Sequence, residues 1–377
     1  MNTPQEFDEL HRALARIEVE DGATAAALVT IVRTRGSTFR RAGARMLVGA
    51  DGSLARGLSG GCPEQDILTH AKCVIASGVA EIVRYDGATG LDVMMEMGCG
   101  GELDVLIEPV ASGGRNPVFD WVARLFERRG SGWMATVFAV DDACIIPRPG
   151  HLAYADGQAG DDFRDAVIAG LRPAMRTALM ARLGETIINR STDSRASVHR
   201  LDVDGHIVDV LLERLVPPHA LLLLGANASS LALARLAVSL GWQVTVVDPR
   251  PEAAVSGKWP AAVRHDVADA DGLRHRLAVD SRTSVVIMTH HLQRDLAFLD
   301  LFRSKPVAYL GAIGSRERAA RMLGAAGSTV TPLHVPAGLD IGSETPEEIA
   351  LAIAAEIVAV LAGRSGVPLS HIGRPIH

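Results

Sequence analysis

Val216-Pro217-Pro218-His219-Ala220-Leu221-Leu222-Leu223-Leu224-Gly225-Ala226-Asn227-Ala228-Ser229-Ser230 is the stretch on which the fold turns. Two adjacent prolines fix φ and remove two backbone donors, a stiff break of the kind that separates domains. Residues 220–224 then form a continuous apolar run of strand length, as expected for a strand buried on both faces. Gly225 ends it, and 229–240 carry helical spacing. Working outward, 243–247, 284–288 and 307–310 read as further strands, and each of the last two is followed by a helical pattern. Alternating buried strands and helices predict a parallel sheet covered on both faces, so 219–365 is expected to be a Rossmann-like, doubly wound parallel-sheet domain with a tail at 366–377. Its last helix opens on Thr345-Pro346-Glu347-Glu348, a capping box with proline at the first helical position.

Upstream of the break, 1–215 reads as a mixed α+β domain, which makes the whole chain α/β. Helices are expected at 5–18, 116–129 and 161–181, and strands at 25–32 and 103–110. Asp51-Gly52 and Asp204-Gly205 are hairpin signals, the first between 46–48 and 54–58, the second between 198–203 and 206–212. Pairing here is therefore expected to be antiparallel.

Composition narrows the classes of function. A chain of 377 residues, 48% hydrophobic and 22% charged, has the make-up of a folded globular protein of two or three domains. With 38 basic and 44 acidic side chains and no aromatic-rich basic stripe, it lacks the electrostatic footprint of a nucleic-acid binder. No run is long enough to span a membrane, and the first twenty residues hold no apolar signal core, so the expected address is the cytoplasm. Four irregularly spaced cysteines form neither a disulfide framework nor a zinc signature.

Two of those cysteines lie among glycines, in Gly60-Gly61-Cys62-Pro63-Glu64 and Gly98-Cys99-Gly100-Gly101-Glu102, where a ligand can approach the sulfur. Cys62 is expected to stand just before a helix whose first position is Pro63, and the unpaired N–H groups there favour a thiolate while Glu64 and Asp66 oppose it. A free cysteine also serves as a small buried hydrophobe, the role expected of Cys73 and Cys144. Arg33, Arg35, Arg40, Arg41 and Arg45 crowd the loop around Gly36-Ser37-Thr38, and guanidinium forks suit phosphates and carboxylates unless the cluster is a solvated surface.

In a doubly wound sheet ligands sit beyond the carboxyl ends of the strands. The first such turn keeps only Gly225 of a dinucleotide fingerprint, because Asn227 and Ser230 stand where glycine is wanted, while Asp248 is placed to meet a ribose hydroxyl. Thr289-His290-His291 follows another strand, and Gly311-Ala312-Ile313-Gly314-Ser315-Arg316 a third, offering N–H groups and a helix terminus to a phosphate. The plainer reading makes Ser315 a cap and the histidines structural.

Taken together, several stretches resemble the xanthine dehydrogenase accessory protein family of XdhC and CoxI type. They are Arg35-Gly36-Ser37 with Gly43-Ala44-Arg45-Met46, Ser59-Gly60-Gly61-Cys62, and Gly98-Cys99-Gly100-Gly101-Glu102 leading to Ile107-Glu108-Pro109. In the second half they are Val247-Asp248-Pro249-Arg250, Tyr309-Leu310-Gly311 with Gly314-Ser315-Arg316, and Gly338-Leu339-Asp340-Ile341-Gly342 before Thr345-Pro346-Glu347-Glu348-Ile349-Ala350. The resemblance implies a chaperone rather than a turnover enzyme. Such a protein binds the molybdenum cofactor, as molybdopterin or its dinucleotide form, and protects it while a terminal sulfur is installed. It then passes the cofactor to an apo molybdenum hydroxylase, with a cysteine desulfurase as a second partner. A homodimer is expected as the commonest default for soluble oligomers. Cys62 and Cys99 are then expected to contact molybdenum or carry sulfur, since soft ligands suit such a centre. Arg40, Arg45, Gly60, Gly61, Gly100, Gly101, Gly225, Asp248, Thr289, His290, Gly311, Gly314 and Ser315 are expected to hold the rest of the cofactor. The two cysteines are expected to face one cleft between the domains. The alternatives are an NAD(P)-dependent oxidoreductase using the Rossmann-like domain, and a regulatory protein whose Rossmann domain has lost its ligand.

Overall fold

The chain divides between its two adjacent prolines, into Met1–Pro217 and Pro218–His377. The computed structural model describes residues 4–16, 26–36, 38, 40–58, 62–86, 101–110, 116–140, 144–156, 173–188, 196–254, 259–276 and 279–372.

In the first unit, α1 (Pro4–Arg16) precedes β1 (Ala26–Arg35), β2 (Arg45–Gly49), β3 (Leu54–Ala55), α2 (Cys62–Ser77), β4 (Glu81–Tyr85) and β5 (Glu102–Val110). There follow α3 (Pro117–Glu127), β6 (Gly132–Val140), β7 (Cys144–Ala155), α4 (Pro173–Ile188), β8 (Ser197–Val203) and β9 (His206–Leu215). Every pairing is antiparallel, in a five-stranded sheet ordered β3-β2-β1-β5-β4 and a four-stranded sheet ordered β7-β6-β9-β8. The β8–β9 hairpin closes on Asp204 and Gly205, both at positive φ (53° and 82°), the backbone that matches strand twist in a two-residue turn. The other hairpin is shorter than expected: β3 stops at Ala55 because Arg56 turns to a φ of 62° and pairs with Glu9 at 2.5 Å. The helix expected at 161–181 is α4 and runs on to Ile188, while 157–172 lie outside the described residues.

Alternation along β1 sorts its side chains onto two faces. Ala27, Val29 and Ile31 pack with Ile67, Ala71 and Val74 of α2, whereas Val32 packs with Leu106, Phe138 and Leu211 between the two sheets. Leu28 joins Phe7, Leu10 and Leu14 of α1 and Phe119 and Val122 of α3 at the other end of that gap. Each of the larger side chains among these contributes about 2 kcal/mol when removed from water. Cys73 was expected in this core and is exposed instead, because Ile67, Ala71 and Val74 set the buried stripe of α2 and Cys73 falls off it.

The second unit comprises β10 (Ala220–Leu224), α5 (Ala228–Ser239), β11 (Gln243–Val247), α6 (Pro251–Ala254), β12 (Arg264–Asp266) and α7 (Ala270–Arg274). It continues with β13 (Thr283–Ile287), α8 (Leu292–Phe302), β14 (Tyr309–Ala312), α9 (Arg316–Ala326), β15 (Leu333–His334) and α10 (Pro346–Leu361). Its sheet is parallel throughout and ordered β12-β11-β10-β13-β14-β15, the doubly wound order whose direction reverses between β10 and β13. Alternate strand residues feed two apolar clusters, one on each face. At the start of β14, the Tyr309 hydroxyl donates to Glu356 at 2.5 Å, and Glu356 also accepts from the Gly338 N–H at 2.8 Å and meets His334 at 3.0 Å. That knot ties α10 to the turn carrying Gly338.

Candidate functional site

Register brings three motifs to one end of the five-stranded sheet. Arg35, the last residue of β1, pairs with Glu102, the first of β5, and Tyr85, the last of β4, pairs with Leu103. The Tyr85 hydroxyl donates to Asp66 at 2.8 Å, which draws the first turn of α2 to the same end. Burial and that bond push the Tyr85 phenol up, so it stays a donor at neutral pH. Cys62 opens α2, and the Gly98-Cys99-Gly100-Gly101 stretch leads straight into β5. The cysteine-bearing elements and the Arg35-Gly36 turn thus start or finish together. Gly101 is buried, whereas Gly60, Gly61, Cys99 and Gly100 lie outside the described residues, as does a shared face for the two thiols.

A ladder of charges spans both sheets at this end. Arg33 donates to Asp104 at 3.0 Å and to Asp209 at 2.7 Å, with its guanidinium 5.4 Å from the Phe138 ring centre. Arg84 reaches Asp104 from one side at 2.9 Å, and Arg200 grips Asp209 from the other at 3.0 and 3.1 Å. Burial alone would raise the Asp209 carboxyl, but the bonds from Arg200 and Arg33 hold it below the usual carboxylate range. Beside the ladder opens a cleft of about 430 Å³ lined by Arg33, Thr34, Arg35, Ser197, Arg200 and Asp209. Its arginines are already paired, Arg33 with Asp104 and Asp209, Arg200 with Asp209, and Arg35 with Glu102 at 3.2 Å, and the exposed Arg35 has the guanidinium most open to an anion. Arg200 and Ser197 were missed in the sequence, since only the β8–β9 pairing carries them to β1.

The other arginines of the basic loop are placed differently. Arg45 is 2% exposed and grips Glu213, itself fully buried, through two bonds of 2.9 and 2.5 Å. It is a structural cation inside the sheet gap, closed to a ligand from solvent. Arg40 donates to Glu6 at 2.7 Å, tying its loop to α1.

In the second unit, the dinucleotide turn is closed by its own side chains. Asn227 caps α5 by accepting from the Ser230 N–H at 3.1 Å, and its amide donates to the Met288 carbonyl at 2.6 Å. The Ser230 hydroxyl in turn accepts from the Asn227 N–H at 2.8 Å. Gly225 has φ +113°, and a Cβ there would lie 2.8 Å from the Met288 and Thr289 backbone, so glycine is required. Asp248 is 6% exposed and accepts from the Ala226 N–H at 2.8 Å and from Arg250 at 2.8 and 2.9 Å. Burial would raise its carboxyl, yet the Arg250 and backbone bonds hold it below the usual range. A carboxylate so engaged has no lone pair turned to a ribose. The oxidoreductase alternative is not favoured on this geometry.

Thr289, His290, Gly314 and Ser315 lie further along the same edge, past β13 and β14. Thr289 bonds Asp295 at 2.5 Å, and His290 and Ser315 line a second cleft with Gly314. Gly311 is buried within β14, where a Cβ would strike the Tyr309 ring at 2.5 Å. Among the described residues no group of His, Cys, Asp and Glu side chains is arranged to hold a metal, and no helix is long and apolar enough to cross a membrane.

Fold and site define a two-unit protein in which a Rossmann unit with a closed first turn follows an antiparallel unit bearing glycine-flanked cysteines. Residues 221–357 match the XdhC Rossmann domain and residues 21–86 match the XdhC and CoxI family, and the chain belongs to that family. It is 27% identical over 337 residues to a probable xanthine dehydrogenase subunit from Bacillus subtilis (strain 168), covering 88% of this chain and 92% of that protein. It is 24% identical over 359 residues to the molybdenum cofactor insertion chaperone PaoD of Escherichia coli (strain K12), covering 93% and 88%. A crystal structure from Bacillus halodurans, described as a xanthine dehydrogenase, matches with a TM-score of 0.73 at 24% identity over 96% of this chain and 99% of that one, a likeness of fold.

Proposed function

We propose that this protein is a molybdenum cofactor insertion chaperone for a molybdenum hydroxylase of the xanthine dehydrogenase type. Family membership and the likeness to PaoD support the role. The observation that carries it here is the convergence of α2, β5 and the Arg35 turn on one sheet end, beside a cleft of three arginines. The chemistry fits the cargo: thiolates at Cys62 and Cys99 are soft ligands for molybdenum, and Arg35, exposed and held by one 3.2 Å bond to Glu102, can turn to an anionic group of the cofactor. The chain holds the cofactor while a cysteine desulfurase supplies its terminal sulfur, then yields it to the apo-enzyme.

Protein purified from cofactor-producing cells is expected to carry molybdenum in stoichiometric amount by elemental analysis, with a matching mass by native mass spectrometry. Cys62→Ser or Cys99→Ser should lower that occupancy at least about tenfold, the loss of one strong ligand contact. If both single variants and the double variant keep full occupancy, the thiols do not hold the cofactor. If wild-type protein carries no molybdenum and takes up none from free cofactor, the chaperone reading fails.

A further inference from the structure

In the second unit, a cleft of about 330 Å³ opens at the carboxyl ends of β13 and β14, lined by His290, Ile313, Gly314, Ser315, Arg318 and Arg321, with Leu292 and Glu317 completing it. This is the edge on which doubly wound sheets bind ligands, displaced from the turn that Asn227, Ser230 and Asp248 close.

Its cationic groups are arranged unevenly. Arg318 is oriented from beneath by Asp295, a 1% exposed carboxylate that meets its Nε at 2.8 Å and is bonded on its other oxygen by Thr289. A guanidinium fixed along one edge by a buried acid keeps its remaining N–H donors aimed outward with little entropy left to lose. Arg321, three residues along the same helix, is exposed and makes no ion pair among the described residues. Arg318 and Arg321 therefore face the cleft as neighbours, one neutralised by Asp295 and one carrying its full charge. Glu317 is the only carboxylate in the lining. Two backbone features shape the wall: His290 has φ +57°, and Gly314 has φ +156°, where a Cβ would strike the Arg318 side chain at 2.6 Å. A Cβ at 314 would force the Arg318 side chain to shift.

We propose that this cleft binds a terminal phosphate monoester, with Arg321 and Arg318 taking its oxygens, Ile313 and Leu292 walling the organic part, and no need for a pyrophosphate. A monoester dianion suits a fixed and a free guanidinium better than the singly charged groups of a phosphodiester do. Two sources carry this chemistry, a mononucleotide and the phosphate of a pterin cofactor. The proposal does not rest on the chaperone reading, since the site lies wholly within the second unit.

Calorimetric titration of the cofactor-free full-length chain with inorganic phosphate, a nucleoside 5′-monophosphate and NAD⁺ tests it. Phosphate and the monophosphate should bind in the millimolar range or tighter and NAD⁺ should not. Arg321→Glu, a change at an exposed helical position, should weaken monoester binding at least about tenfold, and Arg321→Gln by less. Arg250→Ala, at the closed turn, should leave it unchanged. No heat with phosphate or monophosphate, or equal binding by wild type and Arg321→Glu, overturns the proposal. Molybdenum occupancy of Arg321→Glu purified from cofactor-producing cells separates the sources: occupancy kept points to a nucleotide, occupancy lost to the pterin phosphate.

Discussion

Replacing Arg45 by Met should unfold the first unit at markedly lower temperature, and the structure sets the size of the effect. Glu213 is fully buried between the two sheets, and its oxygens are held by Arg45 at 2.9 and 2.5 Å. Methionine fills much of the space but leaves that carboxylate without its cation and without water. Breaking a buried pair by removing one partner costs about 3–5 kcal/mol. In a unit of this size 1 kcal/mol moves the midpoint by about 2–4 °C, so the melting temperature should fall by about 6–20 °C. Adding Glu213→Leu removes the stranded charge and should restore most of the loss, to within about 1–2 kcal/mol of wild type. Differential scanning calorimetry is the assay, because Trp121 and Trp133 report on one unit and Trp242 and Trp259 on the other, which mixes a fluorescence signal. A single variant melting within about 2 °C of wild type, or a double variant worse than the single, would refute the buried-pair account. The double variant should also keep its molybdenum, since Arg45 is closed to solvent.

Two further changes probe the second unit. Burial would raise the Glu356 carboxyl, but bonds from Tyr309, the Gly338 N–H and His334 hold it below its ordinary value. A depressed folded value stabilises above the unfolded one and is lost as pH falls through it, so Glu356→Gln should cost about 1–3 kcal/mol at pH 7, a gap that narrows below about pH 4. Urea titrations at both pH values check this, and a gap that widens in acid sinks it. Gly225→Ala should cost about 2–3 kcal/mol, from φ +113° and a Cβ 2.8 Å from the Met288 backbone. Gly52→Ala, at φ +83° with nothing within 4 Å, should cost only about 1 kcal/mol. Equal losses of melting temperature would remove the steric part of that argument.

Much of this fold is legible in the sequence because its signals are local. The apolar run 220–224, the Thr345 capping box and the Asp204-Gly205 turn each rest on a few adjacent residues, and the structure realises all three. The edge strands β12 and β15 escaped because segments of three and two residues carry no periodicity. Site residues were harder for a different reason. Arg33, Arg35, Arg40 and Arg45 look alike in one basic loop, yet acids far away in sequence sort them: Glu6 takes Arg40, Glu213 takes Arg45, and Asp104 with Asp209 turns Arg33 into a bridge between sheets. Nothing near residue 40 encodes where those acids arrive. Arg321 was within reach, since helical spacing from Arg318 puts it on an adjoining face, but it stands further along the chain from the glycines than Arg316 and Arg318 do.

The closed turn of the Rossmann unit is the point at which fold and function part. A dinucleotide needs free N–H groups at the helix terminus, close backbone approach and an available acid. Here Asn227 and Ser230 satisfy each other's N–H, the Ser230 side chain is fully buried where glycine would admit the pyrophosphate, and Asp248 is held by Arg250. Opening the turn forfeits two capping bonds of about 1 kcal/mol each and a half-exposed ion pair of up to about 1 kcal/mol. The resulting penalty of about 2–3 kcal/mol weakens dinucleotide affinity by about two orders of magnitude before any steric cost is counted. In this turn the groups that a dinucleotide would use are bonded to one another. The cleft beyond β13 and β14 stands apart from that turn, and there Arg321, unlike Arg318, makes no ion pair among the described residues.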